Sequence, residues 1–442
     1  MELEEKRALT EQLRQQARDM DSAHKTAELR VREYAQAYER TLENLESLEA
    51  QLEAVMQDFG ASWPDPEASQ SQRELTSPWL HREWLKAREE VFLAALALHR
   101  SFAEAHPAQM MANLGLVSDW LNGKQLPPEL TRLALDSLCL VVPVVSSTFA
   151  SVPRMFANMG PQAIGWLLID EGGQAIPSHA ACAIWRARRT LIVGDPLQLE
   201  PVSTMPVVLE TELARILDVG DAWLPSRVSA QSLADQSAIL GTYLVDDAGA
   251  ETWVGCPLRL HRRCDQPMFA ISNAIAYGGM MVHGKSVRGG QDLPESAWFD
   301  VRGEGGEGHW VPEEGAKLIR LLRDVTASVD PGQVAMISPF RDCAIELRRI
   351  AQGVGLDLGK VGTVHTAQGK EAEVVILVLG GNPKMPGAKA WAASKPNLLN
   401  VAVSRAKARL YVIGDRQAWS RLAHFSTAAE LMPTVSEPAS FA

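Results

Sequence analysis

No stretch of this sequence is long and apolar enough to span a bilayer, and its first residues, MELEEKRALTEQ, are polar. Neither a membrane anchor nor a secretory signal is therefore expected. Cysteine is scarce: Cys139, Cys182, Cys256, Cys264 and Cys343 are dispersed, and none stands in CxxC spacing. This excludes a disulfide framework and a zinc ribbon, and it fits the reducing cytoplasm. Positive charge is in deficit, with 43 Lys and Arg against 54 Asp and Glu for a formal charge of −11. A histone-like protein that coats nucleic acid is excluded, whereas one that grips a short backbone stretch in a local groove is not. What is present is ordinary for globular domains: 442 residues, 46% apolar, are enough for two or three cores.

Glycine and proline are absent from the first 59 residues. Leu9, Leu13, Met20, Val31, Tyr34, Tyr38, Leu42, Leu45, Leu52 and Phe59 recur mostly every three or four residues among Glu, Gln, Lys and Arg. The spacing predicts one helix over 2–59, forming an antiparallel hairpin or stalk, with a dimerising coiled coil as the alternative. A Pro- and Ser-rich break at 61–74 follows, then helical pattern from Pro78 to His106 and around Glu129–Leu138. From Leu140 short apolar runs alternate with helical stretches: LVVPVVSST, GWLLIDE, TLIVGD, QVAMISP, EVVILVLG and RLYVIGD. Such runs, bounded by Gly, Asp and Pro, are expected to be strands buried on both faces, hence parallel α/β sheets. The expected organisation is a stalk at 1–60, a helical accessory region at 61–139, α/β blocks at 140–255 and 256–425, and a flexible tail at 426–442.

Chemistry concentrates at the ends of those runs. In WLLIDEGGQA, Asp170 and Glu171 follow a strand and so lie at the carboxyl edge of a parallel sheet, where α/β proteins bind ligands. Asp170 can hold Mg²⁺ through water, and Glu171 can polarise a water for attack on a γ-phosphate. By itself the pattern also describes acidic residues capping the next helix. TLIVGDPLQLEPV brings a second strand, a Gly-Asp-Pro turn and Gln198, which can sense a γ-phosphate or be an incidental polar residue. VGTVHTAQGKEAEVVILVL has a polar start before a buried strand, and NLLNVAVSRAKARLYVIGD places Ser404, Arg405 and Lys407 on a helix feeding another. An Arg there is either solvated or salt-bridged, or an arginine finger aimed across an interdomain cleft.

The order DEGGQA, GDPLQLEPV, LHRRC, ISPF, GTVHTAQGKE, NVAVSRAK resembles the ordered motifs of superfamily 1 helicases, in the branch typified by the nonsense-mediated-decay helicases, over about residues 140–415. The resemblance implies two RecA-like domains with ATP and Mg²⁺ in the cleft between them and single-stranded DNA or RNA as partner. Position by position, it implies Asp170 on Mg²⁺, Glu171 activating water, Gln198 on the γ-phosphate, and Arg262 and Arg405 reaching in from the second domain. It further implies Gly369 and Glu371 at the nucleotide, and Thr148, Ser338, Pro339, Thr363 and His365 facing nucleic acid. The LHRRC block otherwise departs from the family's Gln-Tyr-Arg-Met pattern around its arginine.

Nothing upstream of Asp170 fits the GxxxxGK[ST] phosphate loop with which such a domain opens. The string GMMVHGKS at Gly279–Ser286 satisfies the pattern, but it follows a helical stretch, cannot start a helix, and carries a bulky interior. A real phosphate loop leaves a buried strand and opens a helix whose first amides cradle the phosphates. The first RecA-like domain is therefore expected to lack an internal strand. That strand would come from a further segment of this protein or from a second chain, unless the sheet closes without it. Three functions remain open: an ATP-dependent helicase or translocase moving 5′ to 3′ by resemblance, a non-catalytic module binding nucleic acid or a partner, and, on periodicity alone, a scaffold dimerising through residues 2–59.

Overall fold

The computed structural model describes residues 2–203, 205–220, 223–285, 293–367 and 369–435. The chain divides into two units, Met1–Leu93 and Ala94–Ala442.

In the first unit a single helix runs from Glu2 to Phe59, as the unbroken helix-forming composition predicts. Its apolar positions are not covered: Met20 is 73% and Tyr34 74% exposed. An antiparallel hairpin would have buried them; among the described residues it is the helix end that packs, where Phe59 meets Trp63, His81 and Trp84 at ring distances of 5.9, 5.1 and 5.7 Å. A helix at Arg82–Ala105 follows.

The second unit opens with helices Pro107–Leu121 and Pro128–Val141, both with proline in the first turn, where its missing N–H costs nothing. Twelve strands follow among the described residues: β1 Ile164–Ile169, β2 Ala187–Ile192, β3 Thr242–Val245, β4 Glu251–Val254, β5 Leu260–His261, β6 Val282–His283, β7 Ala297–Asp300, β8 Val334–Ser338, β9 Val361–Thr363, β10 Ala372–Val378, β11 Ala406–Gly414 and β12 Thr434–Val435. Six form one parallel sheet in the order β12-β7-β11-β10-β8-β9. Side-chain alternation splits this sheet's apolar residues into two cores. Ala335, Ile337, Val375, Leu377 and Val412 pack with helices Met268–Tyr277 and Asn397–Ser404. Val334, Met336, Val374, Ile376 and Ile413 pack on the other face, against Leu318, Leu321 and Leu322 of helix Pro312–Ser328. The strands are buried on both sides, which is why they read as continuous apolar runs. The stretch expected to fray as a tail from residue 426 instead holds most of a helix, Phe425–Leu431, whose Phe425, Ala428 and Ala429 are buried, and β12.

The first α/β block departs from the expectation of strands covered on both faces. Among its described residues the parallel pairing is limited to β1 and β2, with Ile164 opposite Ala187 and Ile169 opposite Ile192, while β3 and β4 form a separate antiparallel pair. Their outer residues Trp166, Leu168 and Leu191 are 60%, 65% and 50% exposed. The run LVVPVVSST is no strand: the helix extends to Val141, and Val144 beyond it is 75% exposed. Among the described residues no third strand pairs with β1 or β2; one face of the pair packs, Ile169 and Ile192 meeting Ala180 and Ala230, and the other is left open.

A carboxyl is buried beside these cores. Glu314, on helix Pro312–Ser328, is buried and accepts the Gly380 N–H at 2.8 Å. Burial pushes its carboxyl up to about 8, against the pull of that hydrogen bond and of Lys389. Asp415 and Glu313 push it in the same direction as burial. A folded-state pKa above the unfolded 4.5 gives stability that is complete below about pH 4.5 and lost as pH rises through about 8. Glu314→Gln keeps the acceptor and does not titrate, so it is expected to flatten the fall of Tm between about pH 5 and 8. An unchanged slope in thermal melts across that range would refute this account.

Candidate functional site

The carboxyl ends of β1 and β2 meet tightly. Asp170 ends the β1 run, and Glu171 turns the chain with φ 54° and ψ 42°, in the left-handed region that side chains other than Gly and Asn seldom occupy. The Asp170 carboxylate accepts the Glu171 N–H at 2.9 Å, and Gln174 donates to the Glu171 carboxylate at 3.2 Å. Gly173 and Gly194 are required by close approach: a Cβ on Gly173 would lie 2.7 Å from the Asp195 carbonyl oxygen, and one on Gly194 2.7 Å from the amides of Gly172 and Gly173. The Asp-Glu-Gly-Gly and Gly-Asp-Pro turns are thereby locked to each other.

From the Gly-Asp-Pro turn a hydrogen-bond network crosses to the second block. Asp195 accepts the Leu197 N–H at 2.9 Å and the Gln198 side-chain amide at 3.0 Å. Its Oδ2 also accepts the hydroxyl of Tyr277, the last residue of helix Met268–Tyr277. Burial and the Asp195 charge hold that phenol well above its ordinary pKa, so it remains a donor. Asn400, buried on helix Asn397–Ser404, donates to the Leu197 carbonyl at 2.8 Å and to the Tyr277 hydroxyl at 2.9 Å. Arg405 donates through Nη2 to the Gln198 side-chain oxygen at 3.0 Å. Arg405 is only 2% exposed, and its Nε has no hydrogen-bond partner among the described residues. Burial and the nearby Arg263 lower its pKa, while Glu171 and Glu371 favour its charged form.

Glu371 stands between two cations, 2.7 Å from Arg263 and 3.0 Å from Lys407. Burial works to raise its pKa, but Lys407, Arg263 and Arg405 outweigh it and the carboxyl sits below its ordinary value. These groups border a cavity of about 1050 Å³ whose lining includes Asp195, Gln198, Arg262, Arg263, Glu371 and Lys407.

The structure thus brings Gln198 and Arg405 into contact, sets Glu171 and Glu371 within electrostatic reach of Arg405, and leaves Asp170 exposed at the β1 edge. Arg262 lines the cavity with an exposed side chain, while its neighbour Arg263 is the one that meets Glu371. Sequence reasoning passed over Arg263, although two consecutive arginines stand in LHRRC. It also passed over Tyr277, Asn400 and Asp195, which read as helix-face or turn residues until their partners on the other block are known. Only Ser404 of the Ser404, Arg405 and Lys407 group lies on the helix: Arg405 is its cap, and Lys407 belongs to β11. At that cap position Arg405 is buried and reaches Gln198. Gly369 is exposed at φ 73°.

Of the residues expected to face nucleic acid, Thr148 and His365 are exposed and Thr363 is half-buried. Ser338 is fully buried, its hydroxyl accepting the Phe340 N–H at 3.4 Å, and Pro339 is buried beside it. They close β8 inside the sheet, so the Ser338 side chain has no solvent face. The GMMVHGKS decoy is no phosphate loop: β6 passes through it, and Lys285 is tied to Asp265 at 3.0 Å and to the Lys407 carbonyl at 2.7 Å. Its Ser286 lies outside the described residues. Among the described residues no group of three or more His, Cys, Asp or Glu converges on a metal site. No helix is long and apolar enough to cross a membrane, again among the described residues.

Models of AAA domains match residues 2–205 and 255–417. Together with the six ordered motifs, these place the chain in a family: it belongs to the superfamily 1 helicases, in the nonsense-mediated-decay-like branch. It is similar to the RNA helicase Mov10l1 of Mus musculus, 24% identical over 299 residues, covering 61% of this chain and 24% of that protein. The Homo sapiens Mov10l1 is 25% identical over 283 residues, covering 56% and 22%. A probable helicase of Dictyostelium discoideum is 22% identical over 349 residues, covering 75% and 33%. The alignments thus span between 22% and 33% of the length of these relatives. Among solved structures, an arterivirus nonstructural protein 10 (helicase) in complex with DNA is 16% identical, with a TM-score of 0.29, covering 59% of this chain and 42% of that one. The PRRSV helicase is 13% identical, with a TM-score of 0.28, covering 58% and 36%.

Proposed function

We propose that this chain carries the motor of a nucleic-acid helicase or translocase that hydrolyses ATP in the cleft between its two α/β blocks and moves 5′ to 3′ along single-stranded DNA or RNA. The observation that carries this reading is Arg405: a buried guanidinium held by Gln198 from the other block, whose Nε–H has no partner among the described residues and so remains free to donate to an anion. Arg405, Arg263 and Gln198 are donors suited to a γ-phosphate. Asp170 is the residue that would hold Mg²⁺, which when bound neutralises phosphate charge. A lone carboxylate is adequate because Mg²⁺ takes its remaining ligands from water and phosphate oxygens. Glu171 would polarise the attacking water, and Glu371, already held by two cations, would sit at the ribose side. The Asp195–Tyr277–Asn400 network would transmit the state of the site between the blocks.

The side that grips phosphate is the part this sequence does not hold. The exposed β1–β2 pair and the extended Val142–Ser146 run support a strand and loop brought by a further segment of the protein or by a second chain. Five free cysteines, two of them buried, suit the cytoplasm.

The test is ATP hydrolysis with and without single-stranded oligonucleotides, by the chain alone and after a phosphate-loop segment is joined to it. Turnover stimulated by nucleic acid is expected from the completed protein. If the completed protein hydrolyses nothing and its affinity for a single strand ignores ATP, the chain is instead a non-catalytic nucleic-acid or partner-binding module.

A further inference from the structure

Helix Glu2–Phe59 carries a row of residues, from Met20 to Val55, whose spacing alternates strictly between four and three. An isolated α-helix turns every 3.6 residues or about that, so a row of this spacing drifts slowly around it. The row stays on one line only when helices wind about each other with a repeat of about 3.5. Its apolar members Val31, Tyr34, Tyr38, Leu45, Leu48 and Leu52 are 44% to 74% exposed. Side chains of this size rarely stand open in so long a row on a soluble protein. Covering them with another helix would bury about 1,000 Å² per helix, above the roughly 800 Å² per partner of a stable interface.

The polar members of the row say which helix fits. Thr41 donates to the Ala37 carbonyl at 2.8 Å and keeps its lone pairs to accept, and His24 lies 3.4 Å from Glu28. In a parallel pair of identical helices each residue meets its own copy, so His24 faces His24 and Thr41 faces Thr41. Laid antiparallel, with Met20 against Leu52, the same row would set His24 against Leu48 and Thr41 against Val31. Both polar groups would then stand in apolar layers without partners. The flanking positions agree with the parallel order, in which residues five apart in sequence face each other across the seam. Asn44 meets Glu49, an amide donor against a carboxylate, and no flanking pair from Ala23 to Met56 brings like charges together.

We infer that the row from Met20 to Val55 is the seam of a parallel two-stranded coiled coil, and that its occupant is a second copy of this chain. Each assembly then carries two motor-bearing regions on one stem. The seam stands on the spacing, the exposure and the self-matching of His24 and Thr41, and holds whether or not the chain hydrolyses ATP. A polar residue at such a position fixes register at some cost in stability, which is the part His24 plays here.

The experiment is sedimentation equilibrium of the full chain over a micromolar concentration series. The wild type is expected at the mass of two chains. Leu45→Glu with Leu48→Glu places four charges in each seam and should raise the dissociation constant by about 1,000-fold or more. Leu29→Glu is the control: Leu29 is 60% exposed against 61% for Leu48 but lies off the row, so the dimer should persist. Leu48→Cys tests the order of the strands on an otherwise unaltered chain. In a parallel seam it meets its own copy within the Cα separation of about 4.4–6.8 Å that a disulfide spans, and oxidation should cross-link it. The wild type under the same oxidation, with Cys182 and Cys256 exposed, sets the background. A wild type that stays at the mass of one chain throughout, or that forms trimers or larger species, overturns the inference. So does a dimer that the paired Glu variant leaves intact, because its interface then lies elsewhere. A dimer lost in that variant but not cross-linked above background through Leu48→Cys refutes the parallel seam. None of these outcomes bears on ATP turnover, so the motor reading stands or falls separately.

Discussion

Arg405→Ala is expected to lower nucleic-acid-stimulated ATP turnover of the completed protein by about 10³-fold or more, the scale of an arginine finger. Thermal stability should hardly change. A structural arginine at 2% exposure would behave oppositely, because breaking a satisfied buried pair costs several kcal/mol. Arg405 is not fully satisfied: among the described residues its Nε lacks a partner and its one side-chain hydrogen bond goes to a neutral amide. Burying a guanidinium on those terms is unfavourable for folding, and removing it relieves the cost. Activity and stability are therefore expected to separate, as at sites selected for chemistry. Arg405→Lys should recover little turnover, since an ammonium cannot hold Gln198 and a phosphate oxygen in one plane. The measurements are kcat and KM for ATP with Tm on the same samples. A fall in Tm of many degrees with residual turnover intact would make Arg405 a structural residue and remove the main support for the cleft.

Gln198→Ala bears on the same contact from the other side. Each single substitution breaks the same hydrogen bond, so their effects should be strongly non-additive. Additive losses would mean that the two residues act on different steps.

The two α/β blocks differ in how far their residues could be read from sequence, and the reason is burial. β8, β10 and β11 are covered on both faces, so VAMIS, AEVVILV and ARLYVIG stand out as runs. LVVPVVSST has the same composition, yet its first two residues end a helix and the rest forms no strand and is exposed. Composition records that a segment is suited to a strand; the pairing depends on a neighbour, and here none of the described residues supplies it. β7, with the sequence AWFD, and β12, with two residues, were too short to show periodicity, though Trp298 and Phe299 are among the most buried side chains.

The site was legible where a residue type is tied to one chemistry and illegible where only distance gives it meaning. Asp170, Glu171, Gln198, Glu371 and Arg405 stand in motifs whose order constrains them. Asp195, Tyr277 and Asn400 come from segments separated by 82 and 123 residues, and nothing local distinguishes them from a turn Asp, a helical Tyr and a buried Asn. Arg263 shows the same limit at the scale of one residue. Arg262 and Arg263 are identical in type, and only the backbone decides which reaches Glu371.

Glu171→Gln tests the remaining chemical assignment, and turnover is expected to fall by about 10² to 10⁴-fold, the range for losing a general base. ATP affinity should hold, because the amide keeps the shape of the carboxylate and removes a negative charge beside the phosphates. The backbone makes a second readout available. Glu171 occupies φ 54°, a region that costs a side chain about 1 kcal/mol and that persists where function requires it. Asn is at ease there, so Glu171→Asn is expected to raise Tm while eliminating turnover, with Glu171→Gln leaving Tm near that of the wild type. An incidental acidic cap would give the reverse: Glu171→Gln would lower stability through the lost turn contact to Gln174 and leave hydrolysis intact. The pair of variants therefore separates a strained carboxylate kept for attack on phosphate from one kept to finish a turn.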